Sequence, residues 1–233
     1  MLNGFNDFKT ATPGQIHDYY RSKKIHELSI EELAFAHLDD TCRFIQTMDG
    51  MISSSLFDLN QTVAASFSNV RTNQYVPLLA CFSMLDQIGG LYKRINKSCN
   101  YKNGIKKALH FYSNVTNAIE LEQLTTLRHG LFHDGSLLYI NSTTGTKVIF
   151  RMIQNSGALL TPAKKPWDGL YHNDISDYVT KIDLRELQNT TTEVIKECKK
   201  LLLDKKIKIT AQTPQELFYK YLFKTNHTSN EEP

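Results

Sequence analysis

The run from Leu78 to Tyr92 is apolar almost all the way round a helix. Leu78, Leu79, Cys81, Phe82, Met84, Leu85, Ile88 and Leu91 leave it no polar face. A helix of that kind has to be surrounded by protein, so the rest of the chain must pack about it. Pro77 stands where a first-turn proline belongs. Asp86 is the one charged residue inside the run, and a buried carboxylate without a partner is costly. Gly89-Gly90 lowers helix stability and permits either close packing or an early end.

The other segments are read around that helix. Residues 1–28 are polar and weakly patterned, an N-terminal extension. Ser29 and Glu32 have capping-box spacing, and Leu33, Phe35, Ala36, Leu38, Cys42, Ile45 and Met48 follow at helical spacing, predicting one helix to about residue 54. A polar connection leads to Pro77. After a basic loop from Lys93 to Lys107, helical patterns run through Leu109, Tyr112, Val115 and Ile119, then through Leu121, Leu124, Leu127, Leu131 and Phe132, with Asp134-Gly135 as the stop. The period then drops to two. Leu138 and Ile140, then Val148, Phe150 and Met152, flank Ser142-Thr143-Thr144-Gly145, which predicts a β-hairpin at about 137–153. Asp183 and Glu186 open a last long helix whose inner face carries Leu184, Leu187, Val194, Ile195, Cys198, Leu201 and Leu202. A short amphipathic piece, Gln215 to Phe223, precedes a polar tail expected to be disordered. The pattern predicts a mainly α protein: an antiparallel helical bundle over 29–210 with an inserted β-hairpin, then a short helix and tail over 211–233.

Composition removes several classes of function. The 233 residues are 41% hydrophobic and 22% charged, enough to bury a core without disulfides or metal. A net charge of +3 does not announce a nucleic-acid binder, so any basic patch has to be local. Cys42, Cys81, Cys99 and Cys198 form no CxxC pair and read as reduced structural thiols. No stretch approaches the roughly 18 apolar residues of a membrane span, and residues 1–20 lack a signal-peptide core. A cytoplasmic protein without a membrane partner is expected. There is no Walker A sequence, no GxGxxG after a strand, no HExxH and no GxSxG, so no cofactor is implied.

The polar side chains that stand out are Asp86, Arg128, His129, His133 and Asp134. Arginine offers a planar fork of donors matched to phosphate oxygens, and histidine moves protons near neutral pH. Arg128 can equally pair with Asp86 as a structural ion pair, and His133 suits a helix C-terminus on dipole grounds alone. His129 and His133, spaced i and i+4, resemble a helical zinc pair with Asp134 as a third ligand. That donor set is thin, and no metal is expected. The lysines from Lys196 to Lys208 read as a solvated helix face, with an RNA-backbone contact as the alternative. Tyr92, Tyr101, Phe111 and Tyr112 read as core and interface rather than base-stacking platforms.

The segment Leu127-Arg128-His129-Gly130-Leu131-Phe132-His133-Asp134-Gly135 resembles the signature of the HEPN superfamily: an arginine, a polar residue after it, and a histidine separated from the arginine by four to six residues, within an apolar helix. The family most often has asparagine where His129 stands. The same spacing recurs from Arg21 to His26, but in a polar stretch outside any patterned helix. The resemblance extends to the order of helices over about 29–205. It implies a HEPN-like bundle, commonly dimeric, acting as a metal-independent endoribonuclease in toxin–antitoxin or phage-defence systems. Arg128 and His133 would be catalytic, with His129 and Asp86 supporting. RNA, a second copy of the chain and an antitoxin or defence protein are the implied partners. On one helix, residues five apart lie about 140° round from each other. A two-fold axis along the motif helices would bring two copies of each side chain to one groove. The alternatives are a non-catalytic HEPN-like module that dimerises or binds a nucleotide, RNA or partner, and a metal-dependent hydrolase built on His129 and His133.

Overall fold

The computed structural model describes residues 2–225. In chain order its main elements are α1 (Pro13–Arg21), α2 (Ile30–Leu38), β1 (Phe44–Thr47), β2 (Gly50–Ser54), α3 (Ser55–Ser66), α4 (Tyr75–Leu91), β3 (Tyr92–Arg94), α5 (Gly104–Tyr112), α6 (Ala118–Asp134), β4 (Leu138–Ile140), β5 (Lys147–Ile153), β6 (Leu160–Thr161), β7 (Val179–Asp183), α7 (Leu184–Leu203), β8 (Ile207–Ile209), α8 (Pro214–Tyr221) and β9 (Leu222–Thr225). The expected helical bundle with one inserted hairpin is overturned. The protein is mixed α/β, 48% helical and 16% strand, with three sheets among the described residues, one of them four-stranded. Of the polar tail expected to be disordered beyond Phe223, Lys224 and Thr225 belong to β9, and residues 226–233 lie outside the described residues.

The chain divides into two compact units. Of the described residues, the first unit holds 2–61, 90–98 and 195–225. Its helix α1 is capped by Thr12 and lies inside the segment read as an unpatterned extension. Phe8 packs edge-on against Tyr19, Tyr20 and Phe35, and the Tyr19 and Tyr20 hydroxyls donate to the Glu32 carboxylate and backbone oxygen. The Ser29–Glu32 capping box is formed, but α2 ends at Leu38 rather than near residue 54. Cys42, Ile45 and Met48 fit a spacing of three, yet the chain from Phe44 onward is an antiparallel hairpin with Thr47 opposite Gly50. The overlooked signal was Asp49-Gly50, a pair favoured in hairpin turns. Gly50 has φ 153°, and a Cβ there would meet the Lys224 side chain at 2.9 Å, so this glycine also lets β9 approach β2.

The second unit holds Thr62–Gly89 and Cys99–Val194. Leu78, Cys81, Phe82, Met84, Leu85 and Ile88 of α4 are wholly buried, as an all-apolar helix demands. Beside the helices lies a sheet of order β4-β5-β7-β6. Strands β4 and β5 form the hairpin where the period changes, with Leu138 opposite Ile149. Strand β7 joins β5 in parallel, Phe150 opposite Thr180, and β6 closes the other edge in antiparallel pairing. Parallel partners need a long crossover, so nothing local in the sequence links 149–153 to 179–183. Asp183 ends β7 and caps α7, its Oδ1 accepting from the Arg185 and Glu186 amides.

Candidate functional site

The motif helix α6 begins at Asn117, whose side chain accepts from the Ile119 amide. It ends at Gly135 in the left-handed region, φ 62° and ψ 21°. There the Ser136 amide donates to the Gly130 carbonyl at 3.0 Å and the Gly135 amide to Leu131 at 3.1 Å. The Gly135-to-Leu131 bond is that of a left-handed (αL) helix ending, and it turns the chain straight into β4. Gly130 has a matching role, because a Cβ there would stand 2.9 Å from the Ser136 carbonyl oxygen. Both glycines of the motif segment are therefore accounted for by the return of the chain against its own helix.

Leu124, Leu127 and Leu131 face the core, while Phe132 and His133 are exposed and Arg128 and His129 lie between. The Arg128 Nε donates to Asp86 Oδ2 at 3.2 Å, and a terminal guanidinium nitrogen lies 3.2 Å from the same oxygen in an ion pair. The guanidinium also lies over the Phe132 ring, 5.1 Å from its centroid. Asp86 is fixed from a second side: Gly104, the first residue of α5, sits so close that a Cβ there would meet Asp86 Oδ1 at 2.7 Å. A carboxylate at a helix N-terminus is favoured by the exposed amides. The His129 and His133 rings stack with centroids 5.5 Å apart and an interplanar angle of 14°. His129 links the two pairs, since it stacks on His133 and feels the charge of Arg128 and Asp86.

Burial, then the Arg128 charge, then His133 hold the His129 pKa below its ordinary 6.5, against opposing pulls from Asp86 and Glu122. Glu122 is itself paired with Lys106 of α5. The native state thus binds a proton at His129 less readily than the unfolded chain does. The stabilising contribution of neutral His129 is present above pH 6.5 and is lost as pH falls below it. Melting temperatures at pH 7.5 and pH 5 should therefore differ less in a His129→Gln variant than in the wild type. An unchanged or larger difference would contradict this account of the site.

Two sequence-derived alternatives change in the structure. Asp134 is exposed, and among the described residues no group of three or more His, Cys, Asp or Glu side chains is placed to hold a metal ion. Lys199 does not belong to a solvated face: it is only 18% exposed and bound to Asp39 at 2.7 Å. Tyr92, Phe111 and Tyr112 are buried, as read. Sequence reasoning missed Phe132 as the platform under Arg128 and Gly104 as the wall behind Asp86. The spacing of 128 and 132 by one helical turn could have found the first. The second depends on tertiary packing.

No protein-family model, no curated protein and no solved structure matches the chain. Among the described residues no helix is long and apolar enough to cross a membrane.

Proposed function

We propose that the chain is a metal-independent endoribonuclease of the HEPN type, cutting RNA through the RNA's own 2′-hydroxyl. The observation that supports it best is that α6 carries Arg128, His129 and His133, with Arg128 paired to Asp86 of α4, His129 stacked on His133, and one imidazole biased to its neutral form. The 2′-oxygen attacks the adjacent phosphorus as His133 takes its proton, and the bond to the 5′-oxygen breaks. A protonated His133 from a second copy gives the leaving oxygen its proton. Arg128, aimed by Asp86, neutralises the charge that builds on the phosphoryl oxygens. Neutral His129 adds no positive charge beside His133. The products are a 2′,3′-cyclic phosphate and a 5′-hydroxyl.

The homodimer belongs to this reading, because one imidazole cannot be acid and base at once. Phe132 on α6 is 45% exposed and Leu79 on α4 37%, apolar surface that a second copy would cover. Light scattering at micromolar concentration should give twice the chain mass, and Phe132→Glu should halve it. A monomeric wild type would remove the two-copy mechanism. A cytoplasmic setting, with a toxin or defence role restrained by a partner protein, completes the proposal. It agrees with four free thiols, one of which, Cys81, is pushed by burial up to about 12.

The test is cleavage of single-stranded RNA in excess EDTA, with the ends of the products identified. Cleavage leaving cyclic phosphate ends is expected, and cleavage lost on adding EDTA would favour metal-dependent hydrolysis at the histidine pair. The second reading is a non-catalytic module for binding RNA, a nucleotide or a partner. The Asp86–Arg128 ion pair favours it, since that pair already occupies one edge of the guanidinium. Binding without cleavage under every condition would decide for it.

A further inference from the structure

Beyond the C-terminal end of α6 lies an open cleft of about 630 Å³, bounded by Tyr75, Ser136, Ile149, Arg151, Tyr171 and His172. Its lining begins at Gly135, two residues past His133. Tyr75 opens α4 and reaches this end of α6, while Asp86, further along α4, pairs with Arg128. The two helices therefore run in opposite senses, and the cleft lies past the end of α6 that carries His133.

The loop 167–172 forming one wall is tied down. Trp167 is buried, and its indole N–H donates to the Leu170 carbonyl at 2.7 Å. Asp168 accepts from the Leu170 amide and pairs with His172, both at 2.8 Å. Lys147 donates to the Asp168 carbonyl at 2.7 Å, and Gly169 makes the turn at φ 93°. The His172 ring is stacked on Tyr178. This bracing holds Leu170 63% exposed and Tyr171 82% exposed. With Tyr75, 46% exposed, they put three large exposed apolar side chains in the lining of one cleft, and contiguous exposed apolar surface marks an interaction site.

The geometry points to this cleft as a subsite for one unstacked base of single-stranded RNA, held between Tyr75 and Tyr171, with Arg151 at the adjoining phosphate. Its volume is that of a small-ligand pocket. Aromatic faces beside a cation are what sequence-tolerant binding of single strands uses. No acidic residue lines the cleft, and Arg151 forms no ion pair among the described residues. The choice of RNA as ligand rests on the ribonuclease reading. The site itself rests on the cleft and its braced loop.

The experiment uses the full chain and a fluorescein-labelled ten-nucleotide RNA carrying 2′-O-methyl groups. That probe cannot be cut through its own 2′-hydroxyl, so anisotropy reads binding apart from chemistry. Tyr171→Ala and Arg151→Ala should each weaken binding by about fivefold or more, while Tyr171→Trp should bind as the wild type does. Tyr171 is exposed, so its variants should melt with the wild type. Failure of the wild type to bind the probe, or equal binding by Tyr171→Ala, would overturn the subsite. A change of oligomeric state in Tyr171→Ala would also overturn it and make the cleft a contact between copies. Binding that depends on Tyr171 with no cleavage of unmodified RNA would leave the subsite standing and remove the catalytic reading. Cleavage with KM unaffected by Tyr171→Ala would do the reverse.

Discussion

Alanine at His133 or Arg128 is expected to slow RNA cleavage by about 10²–10⁴-fold, with the protein still folded. His133 is exposed in the last turn of α6, so its removal deletes a ring stack and a favourable helix-end interaction worth about 0.3–1 kcal/mol. Arg128 is 25% exposed and Asp86 27%, and a pair this wet contributes about 1 kcal/mol or less to stability. The loss of rate therefore has to come from chemistry and not from unfolding. Arg128→Lys keeps the charge but not the fork, and it should stay well below the wild type. Asp86→Asn tests a positioning residue: kcat should fall with KM little changed, because the guanidinium is less firmly aimed. Melting curves beside the rates separate that outcome from a loss of stability. Cleavage at wild-type rates by His133→Ala would end the enzyme reading.

Gly89→Ala is expected to lower the melting temperature by about 2–8 °C, whereas Gly90→Ala should raise it slightly. A Cβ on Gly89 would stand 1.8 Å from the Gly104 carbonyl oxygen, 2.7 Å from its carbon and 2.9 Å from the Ala108 amide nitrogen. All three are backbone atoms of α5, which cannot swing aside as a side-chain tip can. The helix pair must separate, and overpacking of this kind costs about 1–3 kcal/mol, more than the gain of up to about 1 kcal/mol in helix propensity. Nothing lies within 4 Å of a Cβ on Gly90, so only the propensity gain remains there. Moving α5 also moves Gly104 away from Asp86, so Gly89→Ala should cut any activity beyond what its stability loss explains. Thermal melts of the two variants decide the matter, and a Gly89→Ala melt at or above the wild type would refute the packing.

Several elements were legible because their causes are local. The Ser29–Glu32 box, the Asp183 cap and the Asp134-Gly135 stop all act within one helical turn. The hairpin of β4 and β5 announces itself through alternation and a polar turn. The helix boundary at Leu38 was misplaced because residues spaced by three fit a helix and also occur by chance in strands. The turn chemistry of Asp49-Gly50 outweighed that spacing. Strand β6 is two residues long and β9 follows α8 with no break, so neither carries a period of its own.

The sequence by itself determined that α4 would be buried, that its lone carboxylate would need a partner, and that Arg128, His129 and His133 would share one helix. These follow from hydrophobic periodicity and from the fixed geometry of a helix. Only the tertiary structure decided that the partner of Asp86 is Arg128, that Gly104 walls it in, and that β5 and β7 pair in parallel. It also brought Tyr75 and Tyr171 into the lining of one cleft. Each of these joins residues from different elements of the chain. Such contacts are selected by how whole surfaces fit, and no local pattern encodes them.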